Sequence, residues 1–458
     1  MLFNALPFLL GFLPAAVALH VLVERYRPEW RLGTLVGLSF VFYGLWDVRF
    51  APLLAASVLF NWLAAQLFAR TGWRAVVGIA IAADLLLLGV YKYLDFALSL
   101  ALGAAAPGIG LALPLGISFF TFHHIMYLSD LRAGVAPRFG LARYAVYIAF
   151  FPQVLAGPLV RWREMMHQLD ERPYRRPDAA ARFGRGLALL TIGLAKKVLL
   201  GDAIAGAIAP VFAKVTAGAQ ATGAEAWHAV LGFAFQIYFD FSGYTDMALG
   251  AALLFGVVLP ENFRAPYRAA SLQDFWRRWH ITLSRFLRDY LYIPLGGNRR
   301  GLPVEVGALL ATMTLGGLWH GANLTFLAWG AGHGLGLAAG LFWRRRGWHM
   351  PAPLGWALTF AFVALLWVPF RLPTFAGALS LYGSLAGSLT GSTPWGGGFR
   401  PLTLAAAAAV ALLGPVVWDA VSRLRPRRSA AAALAALAAL LLFKLGDGET
   451  YEFVYFRF

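Results

Sequence analysis

The sequence predicts an all-α polytopic membrane protein, with about twelve transmembrane helices plus re-entrant and interfacial amphipathic helices. Three observations carry this. Only 13% of the 458 residues are charged, against 60% hydrophobic; a soluble domain carries about 25% charge. Mean hydropathy is +0.65. Apolar runs near the ~20 residues that cross a bilayer recur from end to end, and no hydrophilic stretch is long enough for a soluble domain. Residues 1–458 therefore read as a single membrane-embedded domain.

The elements follow in order. Residues 3–23 lack a basic leader and a small-residue cleavage pattern, so they read as a retained span. Spans follow at 31–46, 51–69, 75–98 and 111–128. The stretch 142–160 is apolar but flanked by basic residues at both ends, so it reads as re-entrant. Further spans are 186–211, 226–256, 304–318, 322–342, 353–372, 401–420 and 429–443. The Arg-rich loops 24–31, 70–74, 161–185, 261–300, 344–346 and 423–428 all fall on one side if the N-terminus lies outside. By the positive-inside rule that side is the cytoplasm. The uncharged loops 99–110 and 374–399 then fall outside, as does the C-terminus.

The net charge of +17 is explained by these loops, and nucleic-acid binding is not expected. The chain has no cysteine, which excludes disulfides, thiolate catalysis and Cys-based metal sites. No bound metal or cofactor is expected.

The segment 271–300 differs in kind. On a helix turning about 100° per residue, Phe275, Trp276, Trp279, Leu283, Phe286, Leu287 and Tyr290 share one face. Arg277, Arg278, Arg285, Arg288 and Asp289 share the other. This pattern predicts an amphipathic helix in the cytoplasmic interface, capped by Ser271 and ended by Pro294 and Gly296-Gly297. His280 stands at the border of the apolar face. The arginines suit a lipid-headgroup face, which alone explains most of them; they also suit a polyphosphate ligand.

Ionisable residues at membrane depth mark functional sites by default. His320, in Leu318-Trp319-His320-Gly321, ends the short apolar segment 304–318. Fifteen residues make a helix of about 22 Å, short of the ~30 Å hydrocarbon core, which would leave His320 inside the membrane's depth. Local sequence does not decide between a buried structural imidazole and a base. Asn323 stands three residues on, placed to orient the ring or to donate to an oxyanion. Asp240, in a span with Gln236 and Tyr238, must pair or line water, which favours a buried polar network.

Several of these stretches together resemble the membrane-bound O-acyltransferase family, in its alginate-acetylating branch. They are Phe275-Trp276-Arg277-Arg278-Trp279-His280 with Arg288-Asp289-Tyr290-Leu291-Tyr292-Ile293-Pro294-Leu295-Gly296-Gly297-Asn298-Arg299, and Leu318-Trp319-His320-Gly321 with Trp329-Gly330 and His333-Gly334. Leu113 to Phe122 and Asp240-Phe241-Ser242-Gly243-Tyr244 add two more. The chain departs from the family at His123, where Gln is usual, and at Thr282 and Phe286, where Ser and Trp are commoner.

The resemblance implies that family's fold and a catalytic His320, with His280 as its second histidine. Acyl transfer from a thioester needs a base for the incoming hydroxyl, and imidazole is the usual one. The resemblance also implies acyl-CoA, chiefly acetyl-CoA, as donor. Trp276, Arg277, Arg278, Arg288, Asn298, Asn323 and Asp240 are the expected substrate-binding set. The aromatic tail Phe453-Val454-Tyr455-Phe456-Arg457-Phe458 should dock on the membrane domain. There Tyr455 resembles an acyl relay passing the group outward. Expected partners are the lipid bilayer, a polysaccharide acceptor of the cell envelope, and a periplasmic SGNH-type, esterase-like acetyltransferase. The expected location is a bacterial inner membrane. Competing activities are a teichoic-acid D-alanyl transferase, a lipid acyltransferase and a proton-coupled transporter.

Overall fold

The computed structural model describes residues 2–103, 108–154, 157–387, 401–424, 427–447 and 453–454. Among them there are helices and turns but no β-strand. Eight helical runs are long and apolar enough to cross a membrane, one of them, Pro28–Thr71, made of consecutive helices. These runs support a multi-pass helical membrane protein and do not by themselves give the expected count of twelve crossings, since Pro28–Thr71 and Ala179–Thr216 are 44 and 38 residues long. The span expected at 401–420 is broken at Gly414-Pro415 into Pro401–Leu413 and Val417–Ser422. Thirteen residues span about 20 Å, too little to cross. The outside loop expected from 374 begins instead with a helix, Phe375–Leu385, capped by Thr374 accepting from the Gly377 N–H.

The chain forms two compact units. The first comprises Met1–Leu194, Tyr244–Glu261 and Val421–Gly448. Its centre is aromatic: Phe3, Phe8, Phe42 and Phe151 are fully buried and pack ring on ring. The stretch read as re-entrant is two short buried helices, Leu141–Ala149 and Phe151–Val154. Nine residues rise about 14 Å, so neither crosses. Here His123 staples backbone: Nδ1 donates to the Phe119 carbonyl (2.8 Å), and Nε2 accepts from the Val160 N–H (3.2 Å). That accounts for the unusual histidine as a structural replacement.

The second unit comprises Ala195–Gly243, Asn262–Ala420 and Glu449–Phe458, and it holds the expected site residues. Its frame is a helical hairpin, Leu302–His320 and Leu324–Arg345, turning at Gly321–Asn323. Asn323 caps the second arm, its Oδ1 accepting from the Thr325 N–H. Glycine lets the arms touch. A Cβ at Gly330 would stand 2.2 Å from the Met313 carbonyl oxygen, and one at Gly317 2.2 Å from that of Phe326. Pro303 in the first turn sets the start of the first arm, which therefore runs 19 residues. At about 28 Å it nearly matches the hydrocarbon core, so the argument that a short span strands His320 within the membrane does not hold. His320 stands at the hairpin turn.

Gly330→Ala should lower stability by about 1–3 kcal/mol through overpacking. Gly340→Ala, on the same helix, meets only the Arg344 guanidinium at 3.5 Å and should be neutral or stabilising. Thermal unfolding in detergent checks the contrast.

Candidate active site

The segment expected to be one amphipathic helix is broken. It forms Leu272–Arg278 and Ile281–Leu287, followed by a π-helical turn at Arg288–Tyr292. Ser271 caps the first piece as expected, accepting from the Asp274 N–H. The break falls at Trp279-His280, where His280 takes a left-handed φ of 42°. Asn262 compels it. Its Oδ1 accepts from the Thr282 N–H (3.2 Å), the Thr282 hydroxyl (2.9 Å) and His280 Nδ1 (3.2 Å). Its backbone oxygen accepts from the Ile281 N–H. One residue thus caps the second helix and turns His280 inward, where it is fully buried. A helical wheel drawn through residue 280 assumes continuity and misplaces it. The serine usual at 282 would supply the same hydroxyl, so that departure from the family costs nothing.

Because the Thr282 amide can only donate, the Asn262 atom it meets must be oxygen. An oxygen there fixes the proton of neutral His280 on Nδ1 and leaves Nε2 as its basic nitrogen. Burial pushes this imidazole down to about 3 from its ordinary 6.5, which keeps it neutral.

Both expected histidines pack against one ring, that of Trp319. The Trp319 ring lies 4.8 Å from that of His320 and 6.3 Å from that of His280. Trp329 (5.1 Å) and Phe370 (5.2 Å) close edge-on around His320, which is 6% exposed. His333 is fully buried among Trp276, Trp329 and Phe362, a packing position. Asn323 is not part of this cluster: its carboxamide caps Thr325 and donates to the Pro373 carbonyl.

A cavity of about 390 Å3 opens beside the broken segment. Trp276, Arg277, Arg285, Arg288 and Arg344 line it over an apolar floor that includes Met313 and Leu341. Of the expected binding set, Trp276, Arg277 and Arg288 belong here. Arg278 does not line it and pairs with Asp274 at 2.9 Å. Asn298 is exposed and likewise absent from the lining. Arg344 joins from the hairpin's second arm, which a reading of 271–300 alone does not reach.

Asp240 is 1% exposed and bonds Lys197 at 2.6 Å; Lys197 also bonds Asp202 at 2.6 Å. The signal for Lys197 is a lysine pair, Lys196-Lys197, inside a span. Asp240 also accepts the Val454 N–H at 2.6 Å. The Phe453 ring packs 5.7 Å from Phe241, itself 4.8 Å from His280. The tail thus docks through Phe453 and Val454; Tyr455 lies outside the described residues.

Residues 117–356, just over half of the chain and including His280, His320 and the residues that line the cavity, match the membrane-bound O-acyltransferase (MBOAT) family. The chain belongs to this family. This O-acyltransferase is 37% identical over 425 residues to a peptidoglycan O-acetyltransferase of Helicobacter pylori, covering 84% of this chain and 80% of that one. It is 38% identical over 402 residues to a probable alginate O-acetylase of Pseudomonas aeruginosa, covering 83% and 74%. A teichoic acid D-alanyltransferase of Streptococcus thermophilus is 28% identical over 244 residues, 51% of this chain and 58% of that one.

The unfolded chain protonates His280 below about 6.5 while the folded O-acyltransferase does not until about 3. Its neutral form therefore contributes stability that is complete above about 6.5 and is lost as pH falls toward 3. His280→Asn, which tolerates the left-handed backbone, should flatten part of the fall in melting temperature between about pH 7 and about pH 4.5. An unchanged slope contradicts the buried, neutral assignment.

Proposed function

We propose that this O-acyltransferase takes an acetyl group from cytoplasmic acyl-CoA and passes it outward for O-acetylation of a cell-envelope or exported polysaccharide. The observation that carries the reading is the meeting of His320 and His280 at Trp319. The Arg-lined cavity supports it from the donor side. Thr312 lines that cavity, and Thr312, Gly316 and His320 stand four residues apart on one helix face. The face covers about 12 Å from Thr312 to His320. Phosphates held by Arg277, Arg285, Arg288 and Arg344 would leave an extended thioester arm to run along it. Guanidinium forks suit phosphate, and the apolar floor suits the arm.

In the step itself, His320 takes the proton of the incoming hydroxyl as its oxygen attacks the thioester carbonyl. The C–S bond breaks, and the imidazolium returns the proton to the CoA sulfur. An ester and CoA thiol result. His280, packed on Phe241, forms part of the wall along which the acceptor enters. The first acceptor is the phenol of Tyr455, whose neighbours Phe453 and Val454 lie against the His280 wall. The tyrosyl ester then passes the acetyl group to an SGNH-type partner or to the polysaccharide, outside the bacterial inner membrane. The names of the peptidoglycan and alginate relatives support a polysaccharide acceptor. A D-alanyl transferase fits less well, since that relative aligns over only 51% of this chain.

With labelled acetyl-CoA and purified protein, His320→Ala should abolish CoA release, by at least about 100-fold. Unchanged release removes the base assignment. Tyr455→Phe should lose covalent label, and label that persists removes the relay. Arg285→Ala and Arg344→Ala should each raise KM for acetyl-CoA about tenfold or more with kcat little changed, as loss of a charge-assisted bond to a remote phosphate requires.

A further inference from the structure

Lys197, 1% exposed, lies between Asp202 and Asp240, 2.6 Å from each. We propose that this triad is a latch for the C-terminal tail, with Asp240 gripping the Val454 N–H to seat the tail beside His280.

Local geometry builds the triad. Lys197 and Asp202 are five residues apart, which in an α-helix puts their side chains on different faces. Here the helix widens to π geometry over Lys196–Asp202, where the backbone bonds run between residues five apart and the two side chains align. Gly201 permits the approach of the next element. A Cβ there would stand 3.2 Å from the Asp240 backbone nitrogen, closer than a side chain readily tolerates.

Charge gives the triad its use. The triad sets one lysine beside two aspartates in a water-poor interior, where buried polar groups are held by hydrogen bonds. Asp240 spends Oδ1 on Lys197, and its Oδ2 accepts the Val454 N–H at 2.6 Å. That bond joins residues 214 positions apart, so it is bought by tertiary placement and not by chain proximity. It is charge-assisted, the strong class of protein hydrogen bond. Phe453 completes the seat on Phe241, against which His280 packs. Lys197 and Asp202 touch no substrate in this account. They are positioning residues that hold the Asp240 carboxylate aimed at the tail.

The inference rests on the proposed role of the tail in transfer, and its test separates the two. The chain has no cysteine, so Val454→Cys is a unique reporter. Val454 is 3% exposed, and V454C should resist a water-soluble maleimide. Adding Asp240→Ala, which leaves Lys197 paired with Asp202, should raise the labelling rate at least about tenfold. Asp240→Asn keeps an acceptor and should fall between them, which also covers the case in which D240A does not fold. On turnover of acetyl-CoA, Val454→Pro deletes the N–H, besides fixing φ, and should lose at least tenfold more than Val454→Ala. The double variant D240A/V454P should be no worse than D240A alone, because both remove one bond. Labelling of V454C that ignores both Asp240 substitutions overturns the latch. If Tyr455→Phe stays fully active while labelling still responds to Asp240, the relay falls and the latch stands.

Discussion

One carboxamide oxygen, Oδ1 of Asn262, determines where the site's polar groups stand. It takes the N–H and hydroxyl of Thr282 and the Nδ1–H of His280 at once. Without it the chain from 272 to 292 would have no reason to stop helical winding at Trp279. With it, the chain breaks, and a histidine accepts a left-handed backbone that normally costs about 1–2 kcal/mol. The consequences spread from there. Trp279 and Phe275 enter the core of the second unit. Arg277, Arg285 and Arg288 face the cavity that Arg344 completes. His280 arrives neutral, with its proton fixed on one nitrogen.

The hairpin supplies the other half of the chemistry. Its glycines bring the two arms into backbone contact, which sets Trp329 against His320, while Phe370 closes the other side from the helix Ala352–Arg371. A base for acyl transfer must be held in one orientation and shielded from bulk water. Aromatic edges provide both without adding a competing donor. The same hairpin carries Thr312 to the cavity and His320 to the turn, so one rigid helix sets the distance between them.

Much of this is readable in the residues themselves. Recurrent apolar runs predict the helical membrane architecture. The Ser271–Asp274 cap and the turn at Gly321–Asn323 have local signatures. The break at His280 has none, because its cause lies 18 residues upstream in Asn262. Gly414-Pro415 is a visible turn signal, yet the hydrophobicity around it argues for a span, and the dipeptide wins. Lys197 is visible as an intramembrane lysine. Its partners become evident only once the π turn and Gly201 bring three elements together. Arg278 and Asn298 share the motif that carries Arg277 and Arg288, but a motif does not say which side chains face inward; Asp274 claims Arg278, and Asn298 lies in the exposed turn.

The central claim is that the Arg-lined cavity and the His320 turn are two ends of one acyl-CoA site. An electron cryomicroscopy structure with a non-hydrolysable thioether analogue of acetyl-CoA tests it most directly. The account predicts analogue phosphates on Arg277, Arg285, Arg288 and Arg344, and the carbon that mimics the carbonyl beside the His320 ring. Phosphates bound away from these arginines, or a carbonyl mimic nearest some other side chain, would contradict it.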